Sequence, residues 1–388
     1  MTATVPSAGD PSRPAGRADA EIIALAAAAT LDWRTLDATS AIDNPFFHAP
    51  FVAPSAEGLG AALQLVTVRG PAGRPAGLAP VTATRLGRVA PMLTVFAHDY
   101  APFGMPLATD GVAETAARLA RGLLDAAGPG RGVLFPFLED GAPATNAIAS
   151  AALAAGRPVV RLAAHARAAV HRGVDATDPR EALPTKKRKE YARQIRRMAD
   201  LGPVTLEVVV EPGDVPVRFE EFLELEAAGW KGKRGSAMAA LPKVAAFARR
   251  AVAGLAGNGR CRILSLRVGG RPAAMLVCFI AGGTAFTWKI AYDESLARFS
   301  PGAQLMLDAP PLLFADPAIR RIDSCAAPNH PMIDHLWRGR LPLVTLVVGP
   351  ARRRALFRAG LLSHAAEDRA RRLARAWQNR GRRATRSG

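Results

Sequence analysis

Cysteine is scarce in this chain, and its scarcity argues against several kinds of protein. The 388 residues include three cysteines, Cys261, Cys278 and Cys325, with no CxxC pair. A disulfide-stabilised secreted domain or a cysteine-based metal site would need more cysteines or closer spacing. We therefore expect buried thiols in a reducing, cytoplasmic compartment and no bound metal.

Long apolar runs are also missing. The longest early run, Ile22 to Leu31, is shorter than the roughly 20 residues that a membrane-spanning helix needs. Asp19 and Glu21 precede it, where a signal peptide would carry positive charge. The sequence thus predicts a short helix here and no transmembrane segment. Residues 1–19, rich in Pro, Gly, Ala and Ser, are predicted to be disordered.

Positive charge is abundant, in contrast, with a formal net charge of +18. It is concentrated in residues 351–388, with 12 Arg against two acidic residues, and in residues 185–200, with seven Lys and Arg against two. Such clusters attract phosphates, nucleic acid or anionic lipid. We expect the Arg-rich tail to meet an anionic partner, either RNA or a membrane surface. The alternative is an ordinary solvated helix face.

The second half of the chain alternates strands and helices in an informative order. The periodicity and the turn glycines predict β-α-α-β-β-β-α-β-α-β, which is typical of a mixed sheet, first antiparallel and then parallel. Predicted strands are Val204 to Val210, Cys261 to Val268, Pro272 to Ile280, Ala285 to Ala291, Arg321 to Cys325 and Pro342 to Val348. Predicted helices are Val217 to Ala228, Pro242 to Leu255, one that begins after Ser300-Pro301-Gly302 and runs to about Phe314, and about His330 to Arg338.

The first half shows the last part of the same order and indicates a degenerate duplication. We predict an α/β protein with two tandem domains, each a mixed sheet flanked by helices. The predicted limits are 20–165 for the first domain, 166–202 for a linker with a basic helix, 203–350 for the second domain and 351–388 for a basic helical tail.

Short motifs in both halves resemble one family. Glu226-Ala-Ala-Gly-Trp230-Lys231-Gly232, Lys289-Ile-Ala-Tyr292-Asp293-Glu294, Phe299-Ser300-Pro301-Gly302 and Asp323 lie in the second half, and Asn44-Pro-Phe-Phe47, His98-Asp-Tyr100 and Pro106-Leu107 lie in the first. They resemble the bacterial acetyltransferases of the GNAT superfamily that are associated with cellulose and exopolysaccharide gene clusters (the CelD/BcsL-like group). That group is related to the Fem-type peptidyltransferases, which carry tandem GNAT domains.

The resemblance implies transfer of an acyl group from acetyl-CoA or another acyl-CoA to an amine, with no metal. In the GNAT fold the thioester arm lies between two strands that diverge, here Ala285 to Ala291 and Arg321 to Cys325. The CoA pyrophosphate would meet the start of the next helix, a general site for anions. The cofactor-binding candidates are Arg298, Ser300, Gly302, Ala303 and Gln304. Arg298 stands four residues before Gly302, where the superfamily loop has a spacing of three.

Proton transfer needs a base for the amine and an acid for the leaving thiolate. The catalytic candidates near the expected cleft are Asp323, Tyr292, Glu226 and His335, with Asp323 and Tyr292 ranked first. Trp230, Lys231 and Lys289 are candidates for substrate binding, because a lysine ammonium suits a phosphate or an anionic substrate. Each of these side chains could also have only a structural role.

Three functions are compatible with these features. The first is an acyl-CoA-dependent N-acyltransferase, most simply an N-acetyltransferase, that acts on a sugar, an amino acid or a polysaccharide precursor. The second is a Fem-type transferase that uses aminoacyl-tRNA, which the basic clusters favour. No aromatic pattern of an RNA-binding module is visible in support. The third is a non-catalytic GNAT-fold scaffold that binds an anionic partner.

Overall fold

The computed structural model describes residues 20–26, 33, 36, 40–70, 73–109 and 111–384, with the backbone alone from residue 372 onward. The predicted disordered segment 1–19 lies outside the described residues. Within them, no helix combines the length and the apolar character needed to cross a membrane.

The described chain is built on one continuous sheet flanked by helices, and the predicted mixed α/β fold is confirmed. The strands are β1 (Ala20–Ala24), β2 (Gln64–Arg69), β3 (Pro75–Leu86), β4 (Ala90–Val95), β5 (Leu107–Ala108), β6 (Gly132–Glu139), β7 (Val159–His171), β8 (Val204–Val209), β9 (Cys261–Val268), β10 (Arg271–Ala281), β11 (Thr284–Tyr292), β12 (Arg321–Asp323) and β13 (Gly339–Val348).

Ten α-helices lie among the described residues. They are α1 (Ala49–Leu59), α2 (Val112–Ala127), α3 (Pro143–Ala154), α4 (Thr185–Ala199), α5 (Asp214–Ala228), α6 (Trp230–Lys233), α7 (Pro242–Gly257), α8 (Pro301–Phe314), α9 (Ile333–Leu336) and α10 (Arg354–Ala384). The helix predicted over Ile22 to Leu31 is wrong at its start, because Ala20–Ala24 pairs with β2 as a strand. A short apolar run satisfies both periodicities, so tertiary pairing decides between them.

The same pairing pattern occurs in both halves. β2, β3 and β4 are antiparallel neighbours and β4 then pairs in parallel with β6, just as β9, β10 and β11 are antiparallel and β11 pairs in parallel with β12. This repetition in the sheet agrees with the duplication that the element order indicated.

The two halves exchange their last strands. The sheet order is β1-β2-β3-β4-β6-β13-β7-β12-β11-β10-β9-β8, so β13 from the end of the chain lies between β6 and β7. β7 in turn pairs with β12. β7 runs from Val159 to His171, across the predicted limit of the first domain at residue 165. The predicted domain limits therefore remain a proposal about two duplicated units, since the sheet passes through residue 165 without a break.

Aromatic side chains from both halves share one core. Phe51 on α1 meets Phe247 on α7 with ring centroids 5.3 Å apart, and Phe46 lies 5.6 Å from Phe286 on β11. Glycine allows the helices to approach this closely, because a Cβ on Gly58 would stand 2.6 Å from the Cβ of Phe247. The halves are consequently packed as one body by apolar burial as well as by strand pairing.

The basic tail is helical, as predicted, but its first turns belong to the core. Phe357 is buried against Leu86, Ala90, Met92 and Val347. Deletion of residues 351–388 would therefore expose apolar surface on β3 and β4 as well as remove charge.

A buried ion pair joins the two halves across the sheet. The guanidinium of Arg167 on β7 contacts the carboxylate of Asp323 on β12, and neither side chain is more than 1% exposed. Arg167 Nη1 also donates to the carbonyl of Pro102 at 2.6 Å, while Asp323 Oδ1 accepts the N–H of Cys325 at 2.9 Å. Such a pair is neutral overall, but either partner alone would be an uncompensated buried charge.

We expect Asp323→Leu to lower the free energy of unfolding by about 3–5 kcal/mol, because the positive charge of Arg167 would then be buried without a carboxylate partner. The double variant Arg167→Met/Asp323→Leu should recover a large part of that loss. Urea denaturation measures both. The exposed pair Arg249–Glu220 is the control, and Glu220→Leu should cost no more than about 1 kcal/mol. Equal costs for Asp323→Leu and Glu220→Leu would contradict this role.

Candidate active site

A gap opens in the sheet between β11 and β12. Their parallel pairing is confined to three residues on each strand, Thr284–Phe286 against Arg321–Asp323. Beyond it β11 continues to Tyr292, whereas the other strand ends. The register between β10 and β11 also shifts by one at Trp288, since Lys289 pairs with Val277 and Thr287 pairs with Cys278. A bulge of this kind re-aims the side chains around it.

Two adjoining cavities occupy the region of this gap. The larger, about 690 Å³, extends from α5 and α6 to the start of α8, and the smaller, about 230 Å³, lies at the gap itself. Their linings have four residues in common, namely Lys231, Ile290, His330 and Met332. A long ligand could therefore reach from the helix start into the gap.

The start of α8 offers unpaired backbone donors to the larger cavity. Ser300 precedes the helix with a left-handed backbone (φ 54°), and Gln304 is the first residue whose N–H reaches back, to the Ser300 carbonyl at 3.0 Å. Among the described residues, no acceptor meets the N–H groups of Gly302 and Ala303. Unpaired amides at a helix start attract anions. A left-handed non-glycine residue is strained, and such strain is concentrated at functional sites.

The predicted cofactor-binding residues are only partly brought together here. Ser300, Gly302 and Ala303 line the larger cavity, although the Ser300 side chain makes no capping hydrogen bond. Arg298 instead lines a neighbouring cavity with Arg193 and Arg197 from α4.

Gln304 also departs from its predicted place at the phosphate. It is fully buried and donates to the Tyr191 carbonyl at 3.0 Å, so it ties α8 to α4. Its Oε1 has no hydrogen-bond partner in the described part of the chain.

Glu226 is the carboxylate that the fold turns into the larger cavity. It is buried on α5 and accepts from Lys231 Nζ at 2.7 Å and from the N–H of Met238 at 2.8 Å. Gly232 makes this turn possible, because a Cβ there would stand 1.7 Å from the carbonyl oxygen of Ala227. The Glu226–Lys231 pair is thus held rigidly at the junction of the two cavities.

Trp230 begins the same short helix. Its N–H donates to Glu294, its ring is 45% exposed, and the Arg234 guanidinium lies 5.0 Å from the ring centroid. It lines the larger cavity at the rim, as expected of a residue that contacts a substrate.

A loop of the first half reaches β11 beside the bulge. Trp288 Nε1 donates to the carbonyl of Tyr100 at 2.8 Å, and the Tyr100 ring lies 4.3 Å from Lys289 Nζ. His98 accepts the N–H of Tyr100 through Nδ1 at 3.2 Å. Burial, and secondarily the Lys289 charge, lower the pKa of His98 to about 4, so this imidazole is neutral near pH 7.

Two of the predicted catalytic residues are not part of the cavities. Asp323 is paired with Arg167 and lines neither cavity, and its catalytic role stays a prediction beside the structural contact described above. His335 on α9 is exposed and lines neither cavity. Tyr292 does line the larger cavity, where its Cδ1 is 3.5 Å from the position of a Cβ on Gly302. It therefore stands at the helix-start end.

His330 was missed by the sequence analysis. It lines both cavities, and its Nδ1 accepts the N–H groups of Met332 and Ile333 at 3.3 and 3.4 Å. Burial lowers its pKa from the ordinary value, against the opposing effect of Asp334, so the neutral ring carries its proton on Nε2. The sequence did contain a sign of this position. The Pro-Asn-His-Pro run at 328–331 follows β12 and is typical of a loop, which the fold places at the gap.

Cys325 lines the smaller cavity, but its chemistry is suppressed. Burial raises the pKa of its thiol well above the ordinary value, and the Asp323 charge adds to this. No group of three or more metal-ligating side chains that could hold an ion is present within the described ranges.

Comparisons with known proteins agree with this geometry. The family model described as an acetyltransferase (GNAT) domain matches residues 185–329, which span α4 to the loop before His330. No curated protein sequence matches the chain. The match identifies the GNAT domain in general, and the narrower resemblance to the cellulose-associated group stays a proposal.

Solved structures share the fold at low identity. FemX superposes with a TM-score of 0.51 at 9% identity over 86% of this chain and 98% of its own. A conserved protein of unknown function from Bacteroides thetaiotaomicron gives 0.50 at 14% identity over 82% and 96%. A tandem GNAT protein from the clavulanic acid biosynthesis pathway gives 0.41 at 17% over 86% and 98%.

The diverging strands, the open helix start and the matched segment coincide in one place. Residues 185–329 thus match the model of a GNAT-type acetyltransferase domain, and the described chain shares its fold with FemX.

Proposed function

We propose that the chain is an acyl-CoA-dependent N-acyltransferase, with acetyl as the simplest acyl group. The acceptor is the amine of a sugar, an amino acid or a polysaccharide precursor. One observation carries the proposal. The unpaired amides of Gly302 and Ala303 face a cavity that joins the gap between β11 and β12. A GNAT domain matched over the same elements supports it.

The donor would lie along β11. Its pyrophosphate would accept hydrogen bonds from the two free amides at the start of α8, where the helix dipole favours negative charge. Its pantetheine arm would follow the edge of β11 that no strand covers beyond Phe286. The thioester would then stand at the junction of the cavities, beside Lys231 and His330.

The reaction requires an amine lone pair to attack the thioester carbonyl carbon. We assign the acceptance of the amine proton to Glu226, the carboxylate at the junction. His330, with its proton on Nε2, would donate a hydrogen bond to the carbonyl oxygen as negative charge develops there. The C–S bond breaks and the thiolate takes a proton from the solvent of the open cavity, or from a phenol if the thiolate moves toward the helix start, where Tyr292 is the candidate and Tyr191 is the other tyrosine of the lining.

A Fem-type donor, aminoacyl-tRNA, is the second candidate. The observation that favours it is the position of the basic helix α4, whose Arg193 and Arg197 line a cavity with Arg298 next to the donor site. Phosphates of a polynucleotide would suit that face. The non-catalytic scaffold and the cytoplasmic location also remain proposals, as does an anionic partner for the tail.

Calorimetric titration with acetyl-CoA and longer acyl-CoAs tests the donor. We expect micromolar binding, with the chain length of the tightest ligand defining the acyl group. Absence of binding to every acyl-CoA, together with binding of aminoacyl-tRNA, would favour the Fem-type reading. If neither acyl-CoA nor aminoacyl-tRNA binds, the non-catalytic scaffold is the favoured function.

Gly302→Val should weaken acetyl-CoA binding by about 10-fold or more, since the added methyl groups would crowd the amides that hold the pyrophosphate. The neighbouring side chains are 3.5 Å or more from a Cβ at this position, so the domain should fold normally. Calorimetry measures the change.

S-acetylpantetheine, which lacks the pyrophosphate, is the matched ligand, and its affinity should be unchanged. Equal affinity of wild type and Gly302→Val for acetyl-CoA would remove the phosphate site from the start of α8.

Glu226→Gln should lower kcat by about 10²-fold or more while acyl-CoA binding is retained, because an amide cannot take the amine proton. Steady-state kinetics with the acceptor that gives turnover measures this. Glu220→Gln, on the exposed face of the same helix, is the control. A wild-type kcat in Glu226→Gln would assign the proton to water.

Tyr292→Phe should lower kcat by about 10²-fold if its hydroxyl protonates the thiolate. Tyr191→Phe removes the other phenol of the cavity and should leave kcat within a few-fold. The reverse pattern would transfer the role to Tyr191, and small effects in both variants would mean that solvent supplies the proton.

A further inference from the structure

Lys289 occupies a place on β11 that the reaction described above does not use. Ile290 and Tyr292 pack in the same core cluster as α8, on the donor side of the strand. The Lys289 ammonium instead lies over the Tyr100 ring, 4.3 Å from its centroid, and 5.8 Å from the Trp288 centroid. It therefore faces the loop from the first half, away from the helix that would hold the CoA phosphates.

Lys289 is half-buried, and its ammonium has no polar partner among the described residues. Within the ranges that the structure describes, no hydrogen-bond acceptor or carboxylate contacts its Nζ, although the residue lines the smaller cavity. Three other lysines, by contrast, have carboxylate partners: Lys187, Lys231 and Lys233. Aromatic faces stabilise a cation but do not satisfy its N–H donors.

Among the buried and half-buried groups around Lys289, one positive charge is in excess. Lys231 repels it, and the buried carboxylate of Glu226 is already engaged by Lys231. Asp99 is exposed, and the buried thiol of Cys325 and the ring of Tyr100 are neutral near pH 7 because burial raises both pKa values.

The neighbouring His98 adds no charge of its own, since its pKa is about 4. Burial, and then Lys231, lower the pKa of Lys289 to about 8. The smaller cavity thus holds a cation that releases its proton more easily than an ordinary lysine and that an anion would stabilise.

We propose that the smaller cavity around Lys289 binds an anionic group of the acceptor, a carboxylate or a phosphate, opposite the donor side of β11. The acceptor is therefore an amine that also carries a negative charge, such as an amino acid or an amino sugar phosphate. A carboxylate or phosphate oxygen at Nζ forms a charge-assisted hydrogen bond and supplies the missing counter-charge. This inference rests on the proposed function only in assigning the anion to the acceptor.

The first test uses simple anions and needs no turnover. The wild-type protein is labelled with an amine-reactive reagent from pH 6 to 10, with and without inorganic phosphate or acetate, and Lys289 labelling is followed by mass spectrometry. We expect the anion to slow the labelling of Lys289 and to raise its apparent pKa. Labelling of Lys289 that neither anion changes would overturn the proposal. Lys243, exposed on α7, is the internal control and should not respond.

Calorimetry of acetate binding near pH 8, in buffers of different ionisation enthalpy, should show uptake of a fraction of a proton per anion bound, because the anion raises the pKa of Lys289. Lys289→Met should abolish this uptake, whereas any anion that binds at the start of α8 should be unaffected. Proton uptake that persists in Lys289→Met would place the anion elsewhere and overturn the proposal.

The second test uses matched acceptors. L-alanine is compared with L-alaninamide, and glucosamine 6-phosphate with glucosamine, so that the two pairs separate a carboxylate from a phosphate. Lys289→Met should raise KM for the anionic member of the accepted pair by about 10- to 100-fold and leave its neutral partner unchanged. Lys289→Arg should restore part of the affinity, and Lys243→Met should match wild type.

The outcomes separate the two proposals. A loss of kcat in Lys289→Met with charged and neutral acceptors alike would make Lys289 a proton-transfer group and overturn the anion site. Anion binding at Lys289 without acyl transfer to any amine would uphold the site and defeat the proposed function.

Discussion

The placement of β13 between β6 and β7 is the constraint on which the rest of the molecule depends. Because β7 pairs with β13 on one side and with β12 on the other, the two halves share one hydrogen-bonded sheet. That sheet fixes the loop of His98 and Tyr100 against β11. It also leaves β11 uncovered beyond Phe286, where the gap begins.

The two faces of β11 divide the proposed chemistry. The donor side has open amides at a helix start and an apolar wall, which suit a pyrophosphate and a pantetheine arm. The proposed acceptor side has Lys289 on β11, Glu226 on α5 and Lys231 on α6, together with an aromatic ring from the first half. In this proposal the first half would supply part of the acceptor wall.

Local sequence patterns were sufficient to predict most strands and helices and the helix-start end of the candidate site. The order of strands and helices in the second half and the start of α8 were predicted, because each depends on periodicity, capping and turn residues nearby. The diverging pair came from the resemblance to the GNAT fold. Contacts between residues distant in the sequence could not be predicted from local patterns. Asp323 was taken for a base because nothing near it reveals Arg167, 156 positions earlier. His335 was named from a helix predicted over His330 to Arg338, whereas the structure begins this helix at Ile333 and leaves His330 in the loop that lines the cavities.

The exchange of strands also has a consequence for biosynthesis. β6 is complete at Glu139, but the strand that covers its open edge begins only at Gly339. At about 5–20 residues per second, the ribosome needs roughly 10–40 s to make the intervening chain. Throughout that interval the nascent first half exposes an unpaired edge, the kind of surface that chaperones shield and that neighbouring nascent chains can join. The first half therefore completes its native sheet only after β13, at the end of the second half, has been translated.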